Sequence, residues 1–103
     1  MEFLVEMQVN LPPDVDPGRL AELRVAEAAR SRELLEAGAI VRIWRLPGRT
    51  ANVGVWEARD GSELHALVAS LPLFPWLDVT VSALAEHPTE AAEHAGQSVR
   101  SGS

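Results

Sequence analysis

Six stretches of contrasting periodicity, in the order strand, helix, strand, strand, helix, strand, leave this chain few folds to adopt. Phe3, Val5, Met7, Val9 and Leu11 alternate with Leu4, Glu6, Gln8 and Asn10, the period-two pattern of a strand with one well-buried face. Pro12 and Pro13 end it, because proline cannot donate to a β-ladder. Asp16-Pro17 then opens a helix, with an acceptor at the N-cap and proline at the first helical position, where its missing N–H is not needed. The helix is predicted over about Pro17 to Ala37, with Gly38 as its left-handed C-terminal cap. Ile40 to Leu46 and Thr50 to Glu57 read as two strands of a hairpin turned through Pro47-Gly48. Ser62 can cap a second helix through Leu71, with Leu64, Leu67, Val68 and Leu71 at helical spacing and Pro72 and Pro75 breaking it. Trp76 to Leu84 alternates again as a fourth strand.

This order is the βαββαβ pattern of a ferredoxin-like α+β fold. Its helices cover one face of the sheet, so an apolar opposite face needs a second subunit, and paired sheets are expected. At 103 residues there is room for one core, and the expected division is a domain over 1–88 with a flexible, small and polar C-terminal tail over 89–103. Composition removes several classes of chemistry. There are no cysteines, hence no disulfide, thiolate metal site or cysteine nucleophile. All nine basic residues are arginine, which rules out lysine Schiff bases, and a net charge of −6 argues against nucleic acid as a partner. The N-terminal stretch is acidic where a signal peptide is basic, and no apolar run reaches the length of a membrane span, so a soluble, cytoplasmic protein is expected. No metal-ligand spacing, phosphate loop or dinucleotide fingerprint is present, so no metal or cofactor is expected.

Glu27 is the informative residue. Seven positions return a helix to within roughly 20° of its start. Glu27 lies seven residues after Leu20 and seven before Leu34, with Leu23 one turn earlier, so a carboxylate stands in the middle of the apolar stripe. Burial disfavours the charged form and raises the pKa toward the range useful for proton transfer. From the residues alone, an ion pair with a nearby arginine or a side chain curled to the helix edge is an equally good account. The hairpin adds Arg42, Trp44, Arg45 and Asn52. Arg42 and Arg45 have opposite parity, so a regular strand can point only one of them into a cavity, where it could hold a substrate carboxylate. His65 lies at the margin of the second helix's stripe, as a structural or catalytic histidine, and His87 and His94 flank the tail without an evident partner.

Several stretches together resemble the muconolactone Δ-isomerase family. They are Met1 to Met7, Leu11-Pro12 with Asp16-Pro17, Glu27, Trp44-Arg45 followed by Gly48 and Ala51-Asn52, Glu63-Leu64-His65, Leu71-Pro-Leu-Phe-Pro75, and His87-Pro88. The resemblance implies the ferredoxin-like fold, paired barrels and a larger homo-oligomer, typically a decamer. It implies a cofactor-free reaction of the β-ketoadipate pathway of aromatic degradation, in which muconolactone becomes 3-oxoadipate enol-lactone by a proton shift beside the lactone carbonyl. On that reading Glu27 is the base and Arg45 holds the substrate carboxylate. Asn52 and His65 orient the lactone or donate to the enolate, with Trp44 and Arg42 as further candidate contacts. The chain departs from the family pattern at Ile40 and Arg42, where a Trp and a His are usual, at Val53-Gly54 in place of Tyr-Ser, and at Thr50, where an aromatic residue is common. Those departures leave open a larger, polyketide-like enolisable substrate, or a non-catalytic pocket or assembly module that keeps only the fold.

Overall fold

The alternation of Phe3, Val5 and Met7 becomes β1 (Glu2–Val9), the strand through which the whole sheet is organised. The computed structural model describes residues 1–93. In it β1 pairs antiparallel with both β3 (Ala51–Glu57) and β4 (Leu77–Leu84), and β3 pairs with β2 (Ile40–Arg45), giving the order β2-β3-β1-β4. Helix α1 (Pro17–Glu36) connects β1 to β2, and α2 (Gly61–Ala69) connects β3 to β4. The chain is therefore the expected ferredoxin-like βαββαβ domain.

Local chemistry sets the element ends. Asp16 Oδ2 accepts from the Arg19 N–H at 2.9 Å, and Gly38 takes a φ of 80° just past α1. The second helix is capped by Asp60, whose Oδ1 accepts from the Glu63 N–H at 2.9 Å. It starts ahead of Ser62 because an aspartate one turn before Glu63 is already a strong cap. It ends at Ala69, and a 3₁₀ turn over Phe74–Trp76 carries the chain into β4. Beyond β4, residues 88–93 are helical, with the His87 Nδ1 accepting from the Thr89 N–H and the His87 carbonyl from the Ala91 N–H. Most of the expected tail, with His94, lies outside the described residues.

One face of the sheet is packed. Phe3, Val5 and Met7 stand opposite Trp56, Gly54 and Asn52 of β3. Phe3, Val5, Met7 and Trp56 join Leu34 of α1, Ile40 of β2 and Leu64, Val68 and Leu71 from the α2 region in a single core, in which Val5 is 0% and Trp56 1% exposed. The other face carries Leu4, Val53, Val55 and Leu84 beside Glu6 and Gln8, to which the Arg49 guanidinium is hydrogen-bonded. No helix covers it.

The pairing of β2 with β3 slips at its start: Ile40 faces Trp56, yet Arg42 faces Val55, so Val41 is an extra residue, a β-bulge. Downstream of the bulge the parity is reversed. Ile43 and Arg45 join Ile40 on the helix-covered face, opposite Gly54 and Asn52, whereas Arg42 and Trp44 turn to the open face. Gly54 belongs to this device. A Cβ there would stand 2.8 Å from the Arg42 carbonyl oxygen and 3.5 Å from the Ile43 side chain, so its small size serves the close approach of two backbones.

Candidate active site

At the end of the sheet where β2 finishes and β3 begins, the middle of α1 does not close down on the strands. A cavity of about 420 Å³ remains. Arg24, Glu27 and Ala28 of α1 form its roof, Met7, Arg45 and Asn52 its floor, and Leu73 and Leu77 one end wall. The floor is a row across three strands, since Arg45 stands opposite Asn52, and Asn52 opposite Met7.

Glu27 is half-buried, and its carboxylate is fixed rather than free: Oε1 accepts from the Leu73 N–H at 2.9 Å. That amide is available because of its neighbours. Pro72 and Pro75 have no N–H, while the amides of Phe74 and Trp76 turn back onto the carbonyls of Leu71 and Leu73. The Leu73 N–H therefore points to α1. Burial pushes the Glu27 pKa above the usual carboxylate value of 4.5, and the Leu73 hydrogen bond, which favours the anion, offsets only part of that rise. The second carboxylate oxygen has no hydrogen-bond partner among the described residues. No arginine pairs with Glu27 among the described residues, so the alternative of a structural ion pair is not what the carboxylate does.

Of the residues singled out by sequence, Glu27, Arg45 and Asn52 meet at this cavity, while Trp44 only borders it, its ring lying on the open face. The Asn52 Oδ1 is buried with no hydrogen-bond partner among the described residues. A buried amide oxygen calls for a donor, and rotation of the amide can present either its oxygen or its NH₂ to the cavity. Arg42 is elsewhere. The bulge turns it to the open face, where its guanidinium lies 4.8 Å from the centre of the Trp44 ring. His65 is also elsewhere, since it does not line the Glu27 cavity. The imidazole packs edge-on against Phe74, with centroids 5.9 Å apart, and lines a second, mostly apolar cavity of about 430 Å³ with Phe3, Val68, Val79 and Val81. Leu77 lines both cavities. The expectation that His65 shares the Glu27 cavity is thereby corrected.

Two components of the site were not singled out from the sequence. Arg24 precedes Glu27 by three positions and so shares its helix face, a spacing that could have identified it. The Leu73 N–H is a backbone group, and only the accounting of proline-interrupted amides points to it. Of the departures from the family pattern, only Thr50 lines the Glu27 cavity. Ile40 is core, Arg42 and Val53 lie on the open face, and Gly54 serves the bulge. A side chain at Gly54 would meet the neighbouring strand rather than the pocket.

A sequence profile described as muconolactone delta-isomerase matches residues 1–90. Muconolactone Delta-isomerase 2 of Acinetobacter lwoffii is 45% identical over 87 residues, covering 84% of this chain and 91% of the relative. The muconolactone Delta-isomerase of Cupriavidus pinatubonensis is 35% identical over 89 residues, covering 86% and 97%. In three dimensions the chain is similar to a crystal structure of muconolactone isomerase, with a TM-score of 0.80 at 36% identity over 85% of this chain and 92% of the other.

Proposed function

The chain belongs to the muconolactone delta-isomerase family, and from that premise we propose that the cavity beneath α1 binds muconolactone and that Glu27 moves its proton. The chain is an intramolecular isomerase, and its place in the β-ketoadipate pathway follows from the family.

Muconolactone is an unsaturated five-membered lactone with a carboxymethyl arm on the ring carbon next to the ring oxygen. Glu27 takes the proton from that carbon. The C–H electron pair moves through the ring double bond to the lactone carbonyl and forms an extended enolate. The protonated Glu27 then returns the proton to the carbon beside the carbonyl, the double bond settles next to the ring oxygen, and the carboxylate is regenerated. Proton and electrons balance within one substrate and one side chain, so the step needs no redox partner. A carboxylate raised by burial suits both halves, since it is a stronger base than an exposed one and still a competent acid once protonated. Tying Oε1 to Leu73 leaves the other oxygen to work at both carbons. Arg45 is assigned to the substrate carboxylate and Asn52, through its NH₂, to the enolate oxygen.

The observation that carries this reading is the fixed, half-buried carboxylate facing a cavity that also presents a guanidinium and a buried amide. The pocket-lining positions also argue for muconolactone over a larger substrate, because most departures from the family pattern lie outside the lining. Ultraviolet-monitored turnover of muconolactone by the purified protein is the direct test. Conversion by the wild type that is lost in Glu27→Gln is expected; a folded wild type without conversion would reject the substrate, and an active Gln variant would reject Glu27 as the base.

A further inference from the structure

Arg24 and Arg45 approach one cavity from opposite walls, the first from α1 and the second from β2. Neither is ion-paired among the described residues, whereas Arg30, Arg49 and Arg59 pair with Glu33, Glu6 and Glu63. We propose that Arg24 is the second half of a carboxylate clamp: the anionic arm of the substrate is held between Arg24 above and Arg45 below, and this pair makes the site selective for lactone acids over neutral lactones. The proposal rests on the assignment of muconolactone to this cavity.

Chemistry requires something of this kind. The arm is attached to the carbon that loses its proton, so the substrate carboxylate must come close to the reactive oxygen of Glu27. Two carboxylates at that separation repel in a half-buried site, where screening is weaker than in water. A cation one helical turn from Glu27 is well placed to relieve the repulsion, because side chains three positions apart on a helix are neighbours, with Cβ atoms roughly 5–6 Å apart. Arg24 is that residue. With Glu27 ionised, the two arginines leave a net positive charge around the cavity, which suits a monoanion. Arg24 is also exposed, so it can meet the arm as the substrate enters.

The test compares muconolactone with its methyl ester in the wild type, Arg24→Ala and Arg24→Lys. Arg24→Ala should lose roughly 10- to 100-fold in kcat/KM on the acid, mainly through KM, as expected for one charge-assisted hydrogen bond, with little change on the ester. Arg24→Lys should recover part of the loss. Equal losses on acid and ester, or no loss on the acid, would overturn the clamp. Calorimetric binding of the saturated, unreactive lactone acid and its methyl ester separates this proposal from the reaction itself. A wild-type preference for the acid that disappears in Arg24→Ala upholds the clamp even if muconolactone is not turned over; a wild type with no such preference overturns it.

Discussion

Glu27 is held by two opposed influences, a hydrophobic setting that favours the neutral acid and a backbone amide that favours the anion. Replacing it by Gln keeps the oxygen that accepts from Leu73 and removes the proton carrier. Turnover should fall at least roughly 10²- to 10⁴-fold, the usual contribution of a positioned acid–base group, with the circular dichroism spectrum unchanged. On the proposed mechanism the working base is the anion, so kcat/KM of the wild type should fall as pH drops through the raised pKa, placing the acid limb above pH 4.5; a limb at or below that value would show an unperturbed carboxylate. The same shift has a stability signature. A folded-state pKa above the unfolded value means that ionisation opposes folding, so the wild type loses stability as pH rises from about 4.5 through the folded-state pKa. Glu27→Gln should therefore have the higher Tm at pH 7, and the gap should close below pH 4.5. A residue that works against the fold in its active form is what a reaction site, rather than a structural pair, is expected to contain.

At the scale of elements, the bulge at Val41 decides which arginine is inside. Gly54→Ala tests it. The added methyl would meet the Arg42 carbonyl oxygen at 2.8 Å, within two paired backbones that cannot easily yield. A loss of about 1–3 kcal/mol is expected, read as a lowered Tm in thermal unfolding. The strands, helices and their order were legible because period-two and helical spacings are written along the chain, and so was Glu27, a charge interrupting an apolar stripe. The bulge was not legible. Nothing in Ile40-Val-Arg-Ile-Trp-Arg45 announces an extra residue, because a bulge is a property of the pairing between two strands rather than of either one. Parity alone therefore said that Arg42 and Arg45 must part, and only the register said which way. His65 was misplaced for a similar reason: a helical stripe identifies a buried margin but not the pair of strands beneath it. The second helix's cap was misread locally, since Asp60 and Ser62 are both good caps and Asp60 comes first.

For the whole molecule, the uncovered face of the sheet is the unfinished part. Leu4, Trp44 and Leu84 are 38%, 44% and 40% exposed there, around the less exposed Val53 and Val55. Pairing of two such faces, the arrangement that the family resemblance implies, would bury them. Light scattering after gel filtration should give at least twice the monomer mass, and Leu4→Glu should shift it toward the monomer; a monomeric wild type at micromolar concentration would rule the pairing out. The interior holds a different opportunity. Among the described residues Leu77 is the one that lines both cavities, so its side chain stands between two spaces of similar size. Trimming that leucine to alanine is expected to widen the link between them, with the Glu27 carboxylate at one end and an apolar alcove at the other. A scaffold of this layout is thus a single codon change away from admitting longer guests, and selection or engineering toward bulkier lactones has an obvious first door to open.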